Sequence, residues 1–368
     1  MLAATYGNGH IQAARALAEA TRAERPGLRL YTLDFFDLVN PVLNAATRMA
    51  YVYSVRAAPG LWREFYVRTG QVRPDSFWQQ RLYHLGFGAL REVIQAARPR
   101  VVISTHPTPG GVMAQLRQEG LAPDAFSVTV ITDYILHTQW VHPSTDLYLA
   151  PSQEVADQLA QRGIRPDRIL VTGIPIRPCF SLPVQKTEIR ARLGLPPHPP
   201  VVLIMTGAFG MMRGAVEACL AVAHVEVPVQ VVVVTGHDRR LYEVLSRALL
   251  HAPNRVLLLG YVEAIHELMG ASDLLVSKAG GLTVSEALAA GLPLVVYAPI
   301  PGQEEGNAEY LVRHGAGVVA PSAPEVGRLV AALVRDEQRR LQMSERARRL
   351  GRPDAATRGA RAVLEHLP

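Results

Sequence analysis

The sequence predicts an α/β fold of two Rossmann-like domains facing across a cleft, on three observations. Short β-branched runs alternate with stretches of helical period along most of the chain. The runs fall into two series, separated by a proline-rich stretch from Pro175 to Pro200. At 368 residues, 49% hydrophobic and 19% charged, the chain has the length of two domains and the composition of a globular protein with a large core.

The first series opens on the apolar run MLAAT. HIQAARALAEATRAER then carries apolar residues at helical spacing until Pro26-Gly27 stops it, and LRLYTLDFF returns to strand. RVVISTH, SVTVITD and DLYLAPS follow, each a β-branched run closed by polar residues. In a doubly wound parallel sheet, ligands bind at the carboxyl ends of the strands, which puts His106, Thr132-Asp133 and Ser152-Gln153-Glu154 where chemistry belongs. The second series is PVVLIMTGAFG, VQVVVVTGHD, RVLLLGYVE, DLLVSKAGG and LPLVVYAPIPG. The arginine-rich tail, residues 325 to 366, reads as amphipathic helix broken near Gly351 and Pro353. The expected domains are residues 1–178 and 179–345, with 346–368 a C-terminal helix that packs back on the first.

The net charge is +6, and Lys186 and Lys278 are the only lysines, so nearly all the positive charge is arginine. A guanidinium fork suits phosphate and anionic surfaces. No zinc finger, RNA-binding signature or aromatic-interleaved basic stripe is present, so the expected partners are an anionic cosubstrate or an anionic lipid surface and not nucleic acid. No apolar run reaches the ~18 residues of a membrane span, and the amino terminus lacks a secretory pattern, so an intracellular protein is expected. Cys179 and Cys219 have neither metal nor disulfide spacing. Residues 38–71 break the alternation. They mix aromatics and aliphatics with arginines, which suits a helical pair packed on the domain or an interfacial helix meeting anionic headgroups.

Four stretches carry candidate chemistry. YGNGHIQAA contains Asn8-Gly9, a hairpin signal, but the residues after it are helix-forming, and Gln12 stands where a dinucleotide fingerprint needs its third glycine. What survives is strand, glycine loop, and helix with His10 in its first turn. The helix amino terminus disfavours an imidazolium and leaves a neutral ring able to accept a proton. SKAGGLTVSEALAAG places a Gly-Gly loop at the opening of a helix starting near Thr283, an anion cradle, with Glu286 one turn in. TGAFGMMRGA repeats the glycine-loop design, and PIPGQEEGNAEYL puts Gln303, Glu304, Glu305 and Asn307 on a loop before a helix, suited to sugar hydroxyls.

Together YGNGHIQAA, ISTHP, TDYILHTQWVHPSTDLYLAPS, VTGIPI, LIMTGAFG and SKAGGLTVSEALAAGLPLVVYAPIPGQEEGNAEYL resemble the monogalactosyldiacylglycerol synthase and processive diacylglycerol glucosyltransferase family, over residues 3 to about 320. Wider relatives include the N-acetylglucosaminyltransferase of peptidoglycan lipid assembly, which carries paired glutamines where this chain has Gln303-Glu304. The family's first strand starts earlier than here, where only Met1 to Thr5 precede the glycine loop, leaving either a later chain start or an unusually short strand.

The resemblance implies a GT-B fold and an inverting, metal-independent transfer of a hexose from UDP-glucose or UDP-galactose to diacylglycerol or glycosyl-diacylglycerol. The UDP-sugar is a cosubstrate, no resident cofactor is implied, and the protein would sit peripherally on the cytoplasmic face of the cell membrane. His10 matches the general base on the acceptor hydroxyl. Gly207, Phe209 and Gly210, with Ser277, Lys278, Gly280 and Gly281, match elements that hold the donor diphosphate, and Thr283 falls among the donor-binding residues. Glu286 matches the ribose-binding glutamate, Val262 the backbone that reads uracil, and Gln303, Glu304 and Asn307 the sugar loop. Gly9, His106, Asp133, His137 and Trp140 fall on the acceptor side. Alternatives are an N-acetylglucosaminyltransferase acting on a lipid-linked saccharide, a UDP-sugar 2-epimerase, and a non-catalytic UDP-sugar sensor.

Overall fold

A computed structural model describes residues 1–5, 8–57, 59–71, 77–208 and 210–367. The chain divides into two compact units, one of Met1–Pro178 with Pro301–Gln303 and Asp354–Pro368, the other of Cys179–Ile300 with Glu304–Pro353.

The first unit is built on a six-stranded parallel sheet, β1 (Leu2–Ala3), β2 (Leu33–Asp34), β3 (Val101–Ser104), β4 (Phe126–Val130), β5 (Leu147–Ala150) and β6 (Ile169–Val171), in the order β2-β1-β3-β4-β5-β6. Strand order reverses between β1 and β3, so the crevice at their carboxyl ends is the topological switch point. The first strand is two residues long yet paired on both sides, with Leu2 opposite Leu33 and Ser104. LRLYTLDFF yields only Leu33–Asp34 as strand, because the Asp34 carboxylate accepts from the Phe36 and Asp37 amides and starts the helix Phe35–Val39. That side chain offers the backbone a helix start in place of a longer ladder.

Helix Gly9–Glu24 turns Ala16, Leu17 and Ala20 into a core shared with Ala356, Ala360 and Val363 of the helix Ala355–Leu364. Small residues let the two helices approach closely; a Cβ on Gly359 would stand 3.2 Å from Leu17. The chain rejoins the first unit later than residue 346. Helix Glu337–Leu350 stays with the second unit, and Asp354 begins the return.

The second unit has its own parallel sheet, β7 (Val201–Met205), β8 (Gln230–Val234), β9 (Arg255–Leu259), β10 (Leu274–Ser277), β11 (Leu294–Tyr297) and β12 (Gly317–Ala320), in the order β12-β11-β10-β7-β8-β9. VVLIM, QVVVV, LLVS and LVVY are almost wholly buried, as central parallel strands covered on both faces must be. The switch point here lies between β7 and β10. Among the described residues no helix is long and apolar enough to cross a membrane.

Candidate active site

In the first unit the switch point gathers titratable side chains. Asn8 takes a left-handed φ of 68°, which Asn tolerates, and delivers Gly9 and His10 into the first turn of a helix directly after β1. Tyr6 and Gly7 of this loop lie outside the described residues. His10 Nδ1 stands 2.8 Å from the Thr105 carbonyl and 2.9 Å from Thr132 Oγ1, while Thr105 Oγ1 donates to the His10 carbonyl at 2.9 Å. A carbonyl only accepts, so Nδ1 carries the ring proton and Nε2 is the basic nitrogen. Burial pushes the half-buried imidazole down to about 4, against the opposing pull of the Thr105 hydrogen bond. The cause of this lowering is burial, where the sequence pointed to the helix amino terminus.

His106 closes β3, its ring 4.8 Å from that of His10 and nearly perpendicular to it. Its Nδ1 accepts from the Thr108 amide and caps the helix Pro107–Gln118. Burial and the neighbouring His10 hold it well below the usual histidine range. Trp140 lies 6.2 Å from His10, centre to centre, and is buried among Ile131, Leu136 and Tyr148. His137 works on structure: Nδ1 accepts from the Gln139 amide, and Nε2 lies 3.3 Å from the Tyr66 carbonyl of helix Pro59–Gln71. Asp133 is buried, and both its oxygens accept from Gln303 Nε2, at 2.9 and 2.8 Å. Burial, then the charge of Asp133, raises the Tyr66 phenol. Gly302, at φ +84°, leaves the Tyr66 ring its space, since a Cβ there would meet that ring at 2.3 Å.

The second unit's switch point is made of backbone. Gly207 and Gly210 adopt φ of +88° and +61°, and a Cβ on Gly210 would fall 2.1 Å from an Asp238 carboxylate oxygen. Asp238 is itself fixed, capping helix Arg239–Ala248 through Leu241. Phe209 lies outside the described residues. Across the switch, Ser277 Oγ donates to the Met205 carbonyl at 2.8 Å, tying the ends of β10 and β7.

Helix Gly281–Ala289 begins at Gly281, earlier than the sequence suggests, and its N-cap Gly280 has no side chain to cover the first-turn amides. Lys278 forms a buried ion pair with Glu304, whose other oxygen accepts from the Ile300 amide at 2.8 Å. Asn307 is fully buried and donates to the Ala279 carbonyl at 3.0 Å, so it props the loop from behind. Gln303, Glu304 and Asn307 lie in the helix Gln303–Arg313 rather than on a loop before it. Glu286 is buried in the second turn of helix Gly281–Ala289, with Thr283 half-buried above it. Val262 is half-buried in the loop after β9, next to Tyr261, which stacks on His237 at 4.3 Å.

The structure therefore brings His10, His106 and Thr132 together in one unit, and Gly207, Gly210, Ser277, Lys278, Gly280 and Glu304 in the other. Gln303 contacts Asp133 in the first unit. Sequence reading missed the Thr105 carbonyl, Tyr66 and Asp238. The position of Thr105 at the end of the strand beside β1, and of Asp238 at the polar close of its own run, were signals that could have found two of them.

Two family models match the chain: monogalactosyldiacylglycerol (MGDG) synthase over residues 10–176 and glycosyl transferases group 1 over residues 185–350. A processive diacylglycerol beta-glucosyltransferase of Bacillus pumilus (strain SAFR-032) is 33% identical over 356 residues, covering 95% of this chain and 90% of that protein. Among solved structures, Acinetobacter baumannii MurG superposes with a TM-score of 0.63 at 15% identity, over 99% of this chain and 98% of that one. S. aureus MnaA bound to UDP gives 0.60 at 15% identity, over 100% and 95%. At these identities the structural likeness speaks to the fold, which is GT-B.

Proposed function

We infer the reaction from a plain premise: the chain belongs to the monogalactosyldiacylglycerol synthase and processive diacylglycerol glucosyltransferase family and is a glycosyltransferase. It moves glucose from UDP-glucose to the free hydroxyl of diacylglycerol, or of a glycosyl-diacylglycerol, with inversion. The single observation that carries the mechanism is His10, a neutral ring at the switch point whose Nδ1 proton faces the Thr105 carbonyl and whose Nε2 is basic.

Nε2 takes the proton of the lipid hydroxyl as its oxygen bonds to C1 of the sugar from the face opposite the diphosphate. The C1–oxygen bond breaks, its electron pair leaves with UDP, and an α-linked donor becomes a β-glycoside. The charge gathering on the diphosphate is met by the Gly207–Gly210 loop and the uncovered amides of helix Gly281–Ala289, with no metal ion required. Glu286 binds the ribose, the backbone at Val262 reads uracil, and Gln303 with Glu304 reads the sugar. The relatives, processive diacylglycerol beta-glucosyltransferases, favour glucose over galactose.

Residues 38–71 form helices Pro41–Ala57 and Pro59–Gln71, in which Val42, Met49 and Val67 are exposed apolar side chains and Arg63 and Arg68 exposed cations. That pairing supports peripheral docking on an anionic membrane at its cytoplasmic face.

The test incubates the protein with labelled UDP-glucose, UDP-galactose or UDP-N-acetylglucosamine and vesicles of diacylglycerol in anionic phospholipid, with and without EDTA. Labelled glucosyl lipid that persists in EDTA is expected. Conversion in the absence of lipid would overturn the transferase reading, and loss of product in EDTA would overturn metal independence.

A further inference from the structure

We propose that Asp133 is a positioning residue for donor recognition: by taking the amide nitrogen of Gln303, it makes Gln303 Oε1 the atom that reads the donor sugar, through a hydroxyl that donates. The inference rests on Gln303 as a sugar contact and deepens that reading by fixing its polarity.

A glutamine amide is ambiguous as a recognition group, with two donors at one end and an acceptor at the other. Its neighbour here removes the ambiguity. Both Asp133 oxygens accept from Gln303 Nε2, at 2.9 and 2.8 Å. A carboxylate only accepts, so the end of the amide that faces it is the nitrogen, and a flipped amide would set oxygen against oxygen. A charged acceptor makes the stronger bond, and burial of Asp133 removes the water that would compete for it. Gln303 is half-buried, and among the described residues its side chain bonds through Nε2 alone. Oε1 keeps its lone pairs for a ligand.

The backbone is restrained as well. Asp133 and Gln303 belong to the same unit, Asp133 beyond the end of β4 and Gln303 at the opening of helix Gln303–Arg313. Gly302, directly before it, takes a φ of +84°, and the Tyr66 ring packs where a Cβ would stand. Gln303 is thereby held at its main chain by Gly302 and at its amide by Asp133.

A sugar hydroxyl can donate or accept, and an acceptor partner uses its proton. A site built to receive that proton rejects an analogue that lacks it. Fluorine in place of the hydroxyl keeps a weak acceptor and loses the proton, so UDP-glucose fluorinated at C3, C4 or C6 of the sugar is the probe.

Each analogue competes with UDP-[14C]glucose for transfer to diacylglycerol vesicles. At least one is expected to bind roughly tenfold more weakly than UDP-glucose to the parent enzyme, and that penalty should vanish in Gln303→Met. Equal binding of all three to the parent, or a penalty that persists in Gln303→Met, overturns the acceptor assignment. In Asp133→Asn, which is close to isosteric, the new amide donates to Gln303 Oε1 and occupies it. A loss of about tenfold in kcat/KM for UDP-glucose is expected, with Tm and the affinity for UDP, which has no sugar, unchanged. In a Gln303→Met background the same substitution should cost nothing more. An Asp133→Asn enzyme within twofold of the parent, a parallel loss of UDP affinity, or a loss that adds in full to that of Gln303→Met overturns the positioning role. A Gln303→Met enzyme within twofold of the parent defeats the sugar reading itself and the proposal with it, so the two failures are told apart. The analogue panel needs only the parent and Gln303→Met, and so decides even where Asp133→Asn fails to fold.

Discussion

Both units place a site at the switch point of a parallel sheet, yet they fill it with opposite materials. The first uses side chains: His10, His106 and Thr132 stand at the ends of β1, β3 and β4, and burial holds the imidazoles neutral. The second uses backbone: glycines at positive φ, an uncovered helix amino terminus, and a lysine whose charge is matched by Glu304. Proton transfer needs a titratable group with a tuned pKa. A leaving diphosphate needs fixed dipoles that do not reorganise as charge develops. The same topology serves both demands because the crevice is set by strand order and its lining by the loops.

The largest break in that division is His10→Ala. We expect about a thousandfold loss of kcat for transfer to lipid, within the span of general-base catalysis. UDP affinity measured by calorimetry should stay within twofold, because the nucleotide contacts we propose belong to the other unit. A parallel loss of UDP affinity would show that the two sites are not separable.

Gly210→Ala attacks the backbone site. The new Cβ would press on the Asp238 carboxylate, which is pinned by its capping bond, and would also strain a left-handed residue. Displacing the loop by about an ångström is expected to cost about a hundredfold in kcat/KM for the donor, with Tm lowered by several degrees. An unchanged donor kcat/KM would remove this loop from the diphosphate site.

The contrast also governs what the sequence discloses. Strand ends were legible, because β-branched runs closed by polar residues mark them, but strand order, and with it the place of each switch point, was not. His10 was legible from its glycine loop and the helix that follows. Gln303 was not: its bond to Asp133 joins residues 170 positions apart, and no local pattern encodes that. The Lys278–Glu304 pair was hidden for the same reason, although each residue was named singly. Strands β6 and β12 escaped notice because both are edge strands, partly exposed along their length, which lack the long apolar run of a strand covered on both faces. The helix Phe35–Val39 escaped because one Asp34 side chain, rather than a periodic pattern, ends the strand before it.

The smallest effect sharpens which contact holds His10 in its tautomer. Thr132→Val removes one of the two oxygens at Nδ1 and leaves the Thr105 carbonyl, so the loss in kcat/KM should be only about threefold. The pH profile gives the independent check. A base works deprotonated, and the lowered His10 value means that activity persists as pH falls through 6.5 and is lost near pH 4. Because burial is the larger cause, Thr132→Val should keep that limb in place. The unfolded chain binds the same proton near 6.5, so the folded state loses stability between 6.5 and about 4, and intrinsic fluorescence recorded alongside separates unfolding from titration. A limb that moves up to 6.5 in Thr132→Val would mean that the threonine hydroxyl, and not the buried carbonyl pocket, sets the state of the ring.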